Sequence, residues 1–208
     1  MKKILIFVAA MLMLPLANAA KYEEGVHYDV INEQATAKPE VAEYFSYFCP
    51  HCNRFEPVMM DVIKRLQGSD IKVNKNHVSF IGRNMGVEMQ KAFAAAELLK
   101  VEETISPAIF SAVHEQKRRM SSRDDLRVIF TDAGIEAKKF DAAVNSFAVN
   151  GMVSRMDKNT RDMKIRGVPA LIVNGKYRIS ASEAGGHENM IKVANFLIEK
   201  ERATLKSN

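Results

Sequence analysis

The chain carries two cysteines, Cys49 and Cys52, which lie three residues apart where an apolar stretch meets the start of a helical pattern. A disulfide between them would enclose only Pro50 and His51, and a loop this short removes almost no conformational entropy from the unfolded chain. On a helix this spacing places both sulfurs on one face, with β-carbons about 5 to 6 Å apart, which is close enough to form and break a bond. The pair indicates redox chemistry rather than a structural cross-link.

The position of Cys49 favours its thiolate. Cys49 occupies the N-cap region of the predicted helix and Pro50 its first position, where a missing N–H costs nothing. Unpaired backbone N–H groups and the positive end of the helix dipole then face the sulfur, and a protonated His51 adds positive charge in the same turn. We expect a lowered Cys49 pKa. Substrate thiolates should therefore attack Cys49 and form a mixed disulfide, with Cys52 buried one turn further in.

The cysteines must be positioned by the elements on either side of them. Residues 41–48 are rich in β-branched and aromatic side chains and predict a central strand covered on both faces, yet they include Glu43. Apolar residues then recur at helical spacing up to Gly68. The next strand, residues 71–78, places Lys75 at a core-facing position. A buried carboxylate and a buried ammonium on neighbouring strands must pair, so we expect a contact between Glu43 and Lys75.

The remaining pattern divides into a helical block and a final hairpin. Residues 82–166 are helical throughout, with stop signals at Pro107 and Gly134 and candidate N-caps at Ser106 and Ser122. An Asn-Gly pair at 174–175 then predicts a two-residue hairpin turn, and a last helix covers about residues 188–202. The order predicts an α/β core, residues 20–81 and 167–208, interrupted by an all-helical subdomain at 82–166.

The N-terminal residues predict export. Residues 1–19 combine two lysines, an apolar run and a small-residue cleavage site near Ala19, which is typical of a signal peptide. The apolar run is shorter than the ~20 residues that a bilayer requires. Without Lys2 and Lys3 the formal net charge of +5 falls to +3, which is too small to indicate nucleic-acid binding. We expect a protein of an oxidising, extracytoplasmic space.

Three features together resemble the DsbA family of periplasmic thiol:disulfide oxidoreductases. They are the signal peptide, the segment Glu43 to Cys52 ending in Cys-Pro-His-Cys, and Arg-Gly-Val-Pro at 166–169 before a strand-turn-strand unit. The resemblance implies a thioredoxin fold with an inserted helical subdomain, and location in the Gram-negative periplasm. Members of this family are known for a low pKa of the first cysteine, so that expectation also follows from the resemblance.

The resemblance also implies roles for further residues and partners. Pro169 would form a cis peptide bond opposite the cysteines, leaving the Val168 backbone free to pair with an extended substrate. Glu43 and Lys75 would form the buried pair beneath the site, with the carboxylate tuning or relaying protons for Cys52. The protein would act as a monomer on reduced exported polypeptides and be reoxidised by a membrane quinone-linked oxidase of the DsbB type. It would use no cofactor beyond the Cys49–Cys52 disulfide.

Other functions fit parts of the sequence. A disulfide reductase or isomerase would use the same cysteines, although no separate dimerisation domain is evident. A peptide-binding chaperone could retain inert cysteines. A zinc site would need histidine ligands at a spacing that the sequence lacks, so we assign no metal ligands.

Five basic residues precede the Val168-Pro169 segment and suggest client selection. They are Arg155, Lys158, Arg161, Lys164 and Arg166. The first three share one helix face at a spacing of three. A solvated helix surface without function explains this pattern as well. Our hypothesis is that the stripe borders the substrate groove and steers acidic thiol segments toward Cys49.

Overall fold

The computed structural model describes residues 21–207, so the predicted signal peptide at 1–19 lies outside the described residues. Its strands, in chain order, are β1 Asp29–Val30, β2 Glu40–Phe45, β3 Lys72–His77, β4 Ala170–Val173 and β5 Tyr177–Ser180. Its helices are α1 Pro50–Leu66, α2 Asn84–Leu99, α3 Glu102–His114, α4 Arg123–Asp132, α5 Ala137–Val144, α6 Phe147–Asp162, α7 Ala181–Ala184 and α8 His187–Ser207. Within 21–207, no helix combines the length and apolarity needed to cross a membrane.

The five described strands form one sheet in the order β1-β5-β4-β2-β3. Strands β2 and β3 are parallel, which requires the crossover that α1 supplies, while the β2–β4, β4–β5 and β1–β5 pairs are antiparallel. Strand β2 is therefore internal, as its apolar character on both faces predicted. The register sets Glu43 directly opposite Lys75.

Two large clusters of buried side chains hold the sheet and its helices together. One packs α1 and α8 against the sheet through residues such as Phe55, Leu171 and Leu197. The other joins the end of β2 to the helices that follow β3 and includes Phe45, Phe93 and both cysteines. The cysteines thus lie where the sheet meets the block of helices α2 to α6, which the chain inserts between β3 and β4.

Several local expectations about boundaries are wrong. Ser106 and Pro107 lie inside α3, which begins four residues before Ser106, because the packing of the buried face of α3 outweighs the lost hydrogen bond and the ring clash of an interior proline. The Asn-Gly pair does occupy the turn, with both residues at positive φ, but the loop between paired strand residues is three long and includes Lys176. Ser122 caps α4 as predicted, and Asp125 closes a capping box.

Candidate active site

Cys49 lies at the point where β2 has ended and α1 begins. Its backbone N–H donates to the carbonyl of Ser46 at 3.0 Å, and its extended conformation, with φ −88° and ψ 116°, makes it the N-cap of α1. Pro50 follows as the first helical residue. The Cys49 sulfur takes the place of the oxygen that a serine would offer, because it accepts the backbone N–H of Cys52 at 3.3 Å. The predicted helix start is confirmed.

The two sulfurs are free thiols in different surroundings. Cys49 is 7% exposed, whereas Cys52 is wholly buried. The Cys52 thiol donates a hydrogen bond to the Cys49 sulfur, and backbone N–H groups of α1 donate further ones. Together these hydrogen bonds lower the Cys49 pKa to about 6, although partial burial acts in the opposite direction. Burial and the adjacent Cys49 sulfur raise the pKa of Cys52 well above its ordinary value. At neutral pH the site therefore favours one thiolate, on the more exposed sulfur.

The Val168-Pro169 segment lies against the reactive sulfur. The Cys49 sulfur lies 3.4 Å from the carbonyl oxygen of Val168, to which it donates only in its protonated form. The peptide bond between Val168 and Pro169 is cis, as expected. A groove of about 670 Å³ adjoins this segment, and it is lined by His51, Arg166, Gly167, Val168, Pro169, Ala170, Arg178, Ser180, Ala181, Ser182, Glu183, Gly186 and His187. Cys49 is not one of these residues, but Val168, which its sulfur contacts, is.

His51 is exposed and hydrogen-bonded to a neighbour that the sequence analysis did not single out. The Nη2 atom of Arg54 lies 3.0 Å from Nδ1 of His51. A guanidinium can only donate, so Nδ1 of His51 accepts and carries no proton in this arrangement. The charge of a protonated His51 is also the smallest of the contributions that lower the Cys49 pKa. Hydrogen bonds at the start of α1 are therefore the main cause of thiolate stabilisation.

A cluster of buried charges adjoins Cys52, and the charge of its member Glu43 adds to the rise of the Cys52 pKa. The Nζ atom of Lys75 is 2.8 Å from both carboxylate oxygens of Glu56 and 3.1 Å from Oε1 of Glu102. Glu43 is 3.9 Å from the same Nζ, which makes it the most distant of the three carboxyl groups. The expected contact between Glu43 and Lys75 is present, but Lys75 uses its hydrogen bonds on two partners that sequence reasoning missed.

The charges of this cluster shift the protonation of its members. Burial raises the Glu43 pKa to about 8, partly offset by Lys75 and reinforced by the other two carboxylates. Neither carboxyl oxygen of Glu43 has a hydrogen-bond partner. Burial opposes the charge of Lys75, but the surrounding carboxylates outweigh it and raise the Lys75 pKa. The cluster thus combines one ammonium with a carboxyl group that retains its proton at neutral pH.

Comparison with known proteins places this arrangement in a family. A family model described as a DSBA-like thioredoxin domain matches residues 40–197. The chain is 38% identical over 182 residues to the thiol:disulfide interchange protein DsbA of Escherichia coli O6:H1, covering 86% of this chain and 87% of that protein. The chain belongs to the DsbA family. It is a protein-disulfide oxidoreductase with a thioredoxin-like fold, as the resemblance implied.

Solved structures of the DsbA family have the same architecture. The structure of Pseudomonas aeruginosa DsbA is 31% identical, with a TM-score of 0.81 over 90% of this chain and 98% of that one. A cysteine-to-serine variant of Proteus mirabilis DsbA, 34% identical with a TM-score of 0.76 over 86% of this chain and 100% of that one, was solved with a non-covalently bound peptide, PWATCDS. The bound peptide of this relative contains one cysteine.

In this DsbA-family chain, Tyr47, which lies between β2 and the active-site cysteines, forms hydrogen bonds with residues of β3 and α3. Its backbone N–H donates to Nε2 of His77 at 3.1 Å, and Nε2 of His114 donates to its carbonyl oxygen at 2.8 Å. Its hydroxyl lies 2.6 Å from Oγ of Ser106. His77 is wholly buried. No sequence signal pointed to His114, because only the packing of α3 brings it to this peptide group.

The expectation that the whole basic stretch borders the groove is wrong, while the selection of acidic clients stays a prediction. Of its five residues, Arg166 lines the groove, whereas Arg155 lines a separate cavity between β2, β3 and α6. Lys158 forms an ion pair with Asp162 one turn along α6. The stripe fails to reach the groove because α6 packs against β3 through its other residues, such as Met156.

Within 21–207, no group of three or more His, Cys, Asp or Glu side chains is placed to hold a metal ion.

Proposed function

We propose that the protein donates its Cys49–Cys52 disulfide to reduced polypeptides exported to the periplasm. The observation that carries this proposal is the asymmetry of the two thiols, since one is at a helix terminus with a lowered pKa and the other is buried with a raised pKa. A stabilised thiolate favours the reduced form of the site and makes the oxidised form a good disulfide donor. The cysteine-containing peptide bound to the Proteus mirabilis relative supports peptide substrates.

The reaction proceeds through a mixed disulfide. A substrate thiolate lying in the groove beside Val168 attacks Sγ of Cys49, the Cys49–Cys52 bond breaks, and the electron pair passes to Cys52, which takes up a proton. A second substrate thiolate then attacks the substrate sulfur of the mixed disulfide and releases Cys49 as the thiolate. The substrate gains one disulfide and the protein retains two reduced sulfurs. No cofactor besides the cysteine pair enters this scheme.

The supporting residues act on the two cysteines. Pro50 begins α1 without requiring an N–H partner, and His51 borders the groove next to Cys49. Pro169 holds the Val168 backbone opposite the reactive sulfur, where an extended peptide can pair with it. Glu43, held near Lys75, supplies the proton that the buried Cys52 needs. Residues 20–81 and 167–208 form the thioredoxin-like domain in this scheme, and 82–166 form the helical subdomain.

The cycle closes when another protein reoxidises the cysteines. We propose a membrane quinone-linked oxidase of the DsbB type as this partner and a monomeric protein freed of residues 1–19 after export. A disulfide reductase or isomerase would use the same site but with a reducing equilibrium, and a chaperone with inert cysteines would not exchange disulfides at all.

The test is an equilibrium titration of the Cys49–Cys52 pair against glutathione, combined with oxidation of a peptide that contains two cysteines. We expect the pair to be reduced by glutathione at equilibrium and the oxidised protein to form the peptide disulfide stoichiometrically. A pair that stays oxidised in the presence of reduced glutathione would favour the reductase, and failure to oxidise the peptide would favour the chaperone.

A further inference from the structure

The N–H donors of Lys75 are all directed to Glu56 and Glu102, so none is available to Glu43. An ammonium group has three N–H donors. In this structure the acceptors around Nζ are the two oxygens of Glu56 at 2.8 Å each and Oε1 of Glu102 at 3.1 Å. Glu43, at 3.9 Å, receives only the electrostatic attraction. Its separation from the ammonium is therefore a consequence of the other two carboxylates.

With all three carboxyl groups ionised, the cluster would hold two negative charges more than its single ammonium can balance. Three carboxyl groups surround one ammonium, and an uncompensated buried charge is costly. A proton on one carboxyl group relieves this cost. Glu43 is the wholly buried member, whereas the side chain of Glu56 is 6% exposed and that of Glu102 is 19% exposed. The proton therefore resides on Glu43, whose oxygens also lack hydrogen-bond donors that would stabilise a carboxylate.

Glu102 differs from its partners because it comes from the inserted helices. It is the first residue of α3, and Oγ of Ser106, one turn further along, donates to its Oε1 at 3.0 Å. The hydroxyl of Tyr47 is in turn hydrogen-bonded to Oγ of Ser106 at 2.6 Å. These bonds hold the Glu102 carboxylate on Lys75, across the junction between the helical insertion and the sheet.

We propose that Glu102 is a positioning residue that, by occupying Lys75, keeps Glu43 protonated as the proton donor for Cys52. The inference rests on the proposed function. When a substrate thiolate opens the Cys49–Cys52 bond, the electron pair passes to the Cys52 sulfur and the Glu43 proton follows it. The resulting Glu43 carboxylate, attracted by Lys75, then takes up a proton from water, which restores the protonated Glu43 of the reduced protein. On reoxidation the proton of Cys52 is released to water, so one proton enters and one leaves in each cycle.

Four titratable or charged groups face Glu43 and influence the transfer of its proton to Cys52. They are Lys75 from β3, Glu56 and Cys52 from α1, and Glu102 from α3. Burial and the charge of Glu102 raise the pKa of Glu97 from α2, which is not among the groups that act on Glu43. Removing Glu102 takes away a negative charge that favours the protonated Glu43 and frees one Lys75 N–H to turn toward it. Both changes lower the affinity of Glu43 for its proton.

The experiment is a carboxyl-carbon NMR titration of Glu43 in the reduced protein, assigned with Glu43→Gln, in four proteins. These are the wild type, Glu102→Ala, Glu102→Gln and, as the control, Glu103→Ala, which alters an exposed neighbour on the same turn. We expect the Glu43 midpoint to fall by about one pH unit or more in Glu102→Ala, a tenfold loss of proton affinity, and by less in Glu102→Gln, which keeps an acceptor for Lys75. The control should match the wild type.

A kinetic readout separates this role from a structural one. The rate constant for opening the disulfide, corrected for the thiolate fraction of the peptide, should start to fall at a lower pH in Glu102→Ala than in the wild type. An unchanged Glu43 midpoint in both Glu102 variants overturns the inference, and Glu102→Gln alone decides it if Glu102→Ala does not fold. The proposed function fails separately, if the wild-type protein does not oxidise the peptide.

Discussion

Arg54 donates a hydrogen bond to Nδ1 of His51, one turn into the helix that begins at Cys49. This bond gives Nδ1 of His51 a donor and sets a guanidinium against the imidazole. The sequence alone predicted that a protonated His51 helps to stabilise the Cys49 thiolate. Contributions to the Cys49 thiolate are therefore ordered, with the Cys52 thiol first, backbone N–H groups next and the charge of His51 last.

The first prediction follows from this order. His51→Ser should raise the Cys49 pKa by less than about one unit, whereas Cys52→Ala should raise it further because it removes the largest stabilising hydrogen bond. Ultraviolet thiolate absorbance measured against pH reports both values. A larger increase for His51→Ser than for Cys52→Ala would show that the imidazole charge dominates.

The second prediction concerns the division of labour between the cysteines. Cys49→Ser should abolish oxidation of dithiol peptides, since Cys52 is wholly buried and cannot meet a substrate. Cys52→Ala should retain a reactive Cys49 that accumulates mixed disulfides with those peptides. Mass spectrometry after mixing with an activated peptide disulfide distinguishes the two variants. Mixed disulfides on Cys52 in the Cys49→Ser protein would contradict the assignment.

The third prediction links the Cys49 pKa to stability. The pKa falls from an ordinary value of 9.0 to about 6 on folding. The native reduced protein is therefore stabilised by the thiolate, fully above pH 9 and progressively less as pH falls through 6. Thermal melts should show reduced protein melting above oxidised protein at pH 7, with a smaller difference at pH 5. Cys49→Ser, which has no oxidised form, should lack the loss of stability between pH 7 and pH 5 that protonation of the Cys49 thiolate causes in the reduced wild type. A difference that grows toward pH 5 would contradict the mechanism.

The fourth prediction tests charge selection in the groove. Arg166 is exposed and lines the groove beside Val168, so it should accelerate capture of acidic cysteine peptides relative to basic ones at low salt. Arg166→Ala should reduce that preference, and salt should do the same to the wild type, with a screening length of ~8 Å. Arg155→Ala is the matched control, because Arg155 lines a different cavity. Equal loss of preference in both variants would mean that net charge alone steers the peptides.

Features encoded in neighbouring residues could be predicted from the sequence. The start of α1 at Cys49-Pro50 and the turn centred on Asn174-Gly175 depend on local backbone rules and follow from residue type. The Glu43–Lys75 proximity followed from strand periodicity. Strand β1 was missed because its two residues show no alternation, and it is held only by pairing with β5.

Contacts between distant elements could not be predicted in this way. Glu56 and Glu102 reach Lys75 from α1 and α3, and their approach depends on how both helices pack against β3. A single sequence gives each of them the appearance of an ordinary helix-surface carboxylate. Ser106 was misassigned for a related reason, since a serine before a proline satisfies the local rule for a helix start while tertiary packing begins α3 at Glu102.

The imidazoles that hold the Tyr47 peptide group restrict how this protein can be redesigned. His77 must offer an acceptor and His114 a donor, so the two positions have opposite hydrogen-bond polarity even though both bear histidine. An engineer who fills position 77 with phenylalanine leaves a buried amide without a partner, whereas glutamine at position 114 can still donate. Sequence libraries for altered client range should therefore fix the polarity of these two positions and vary the groove instead.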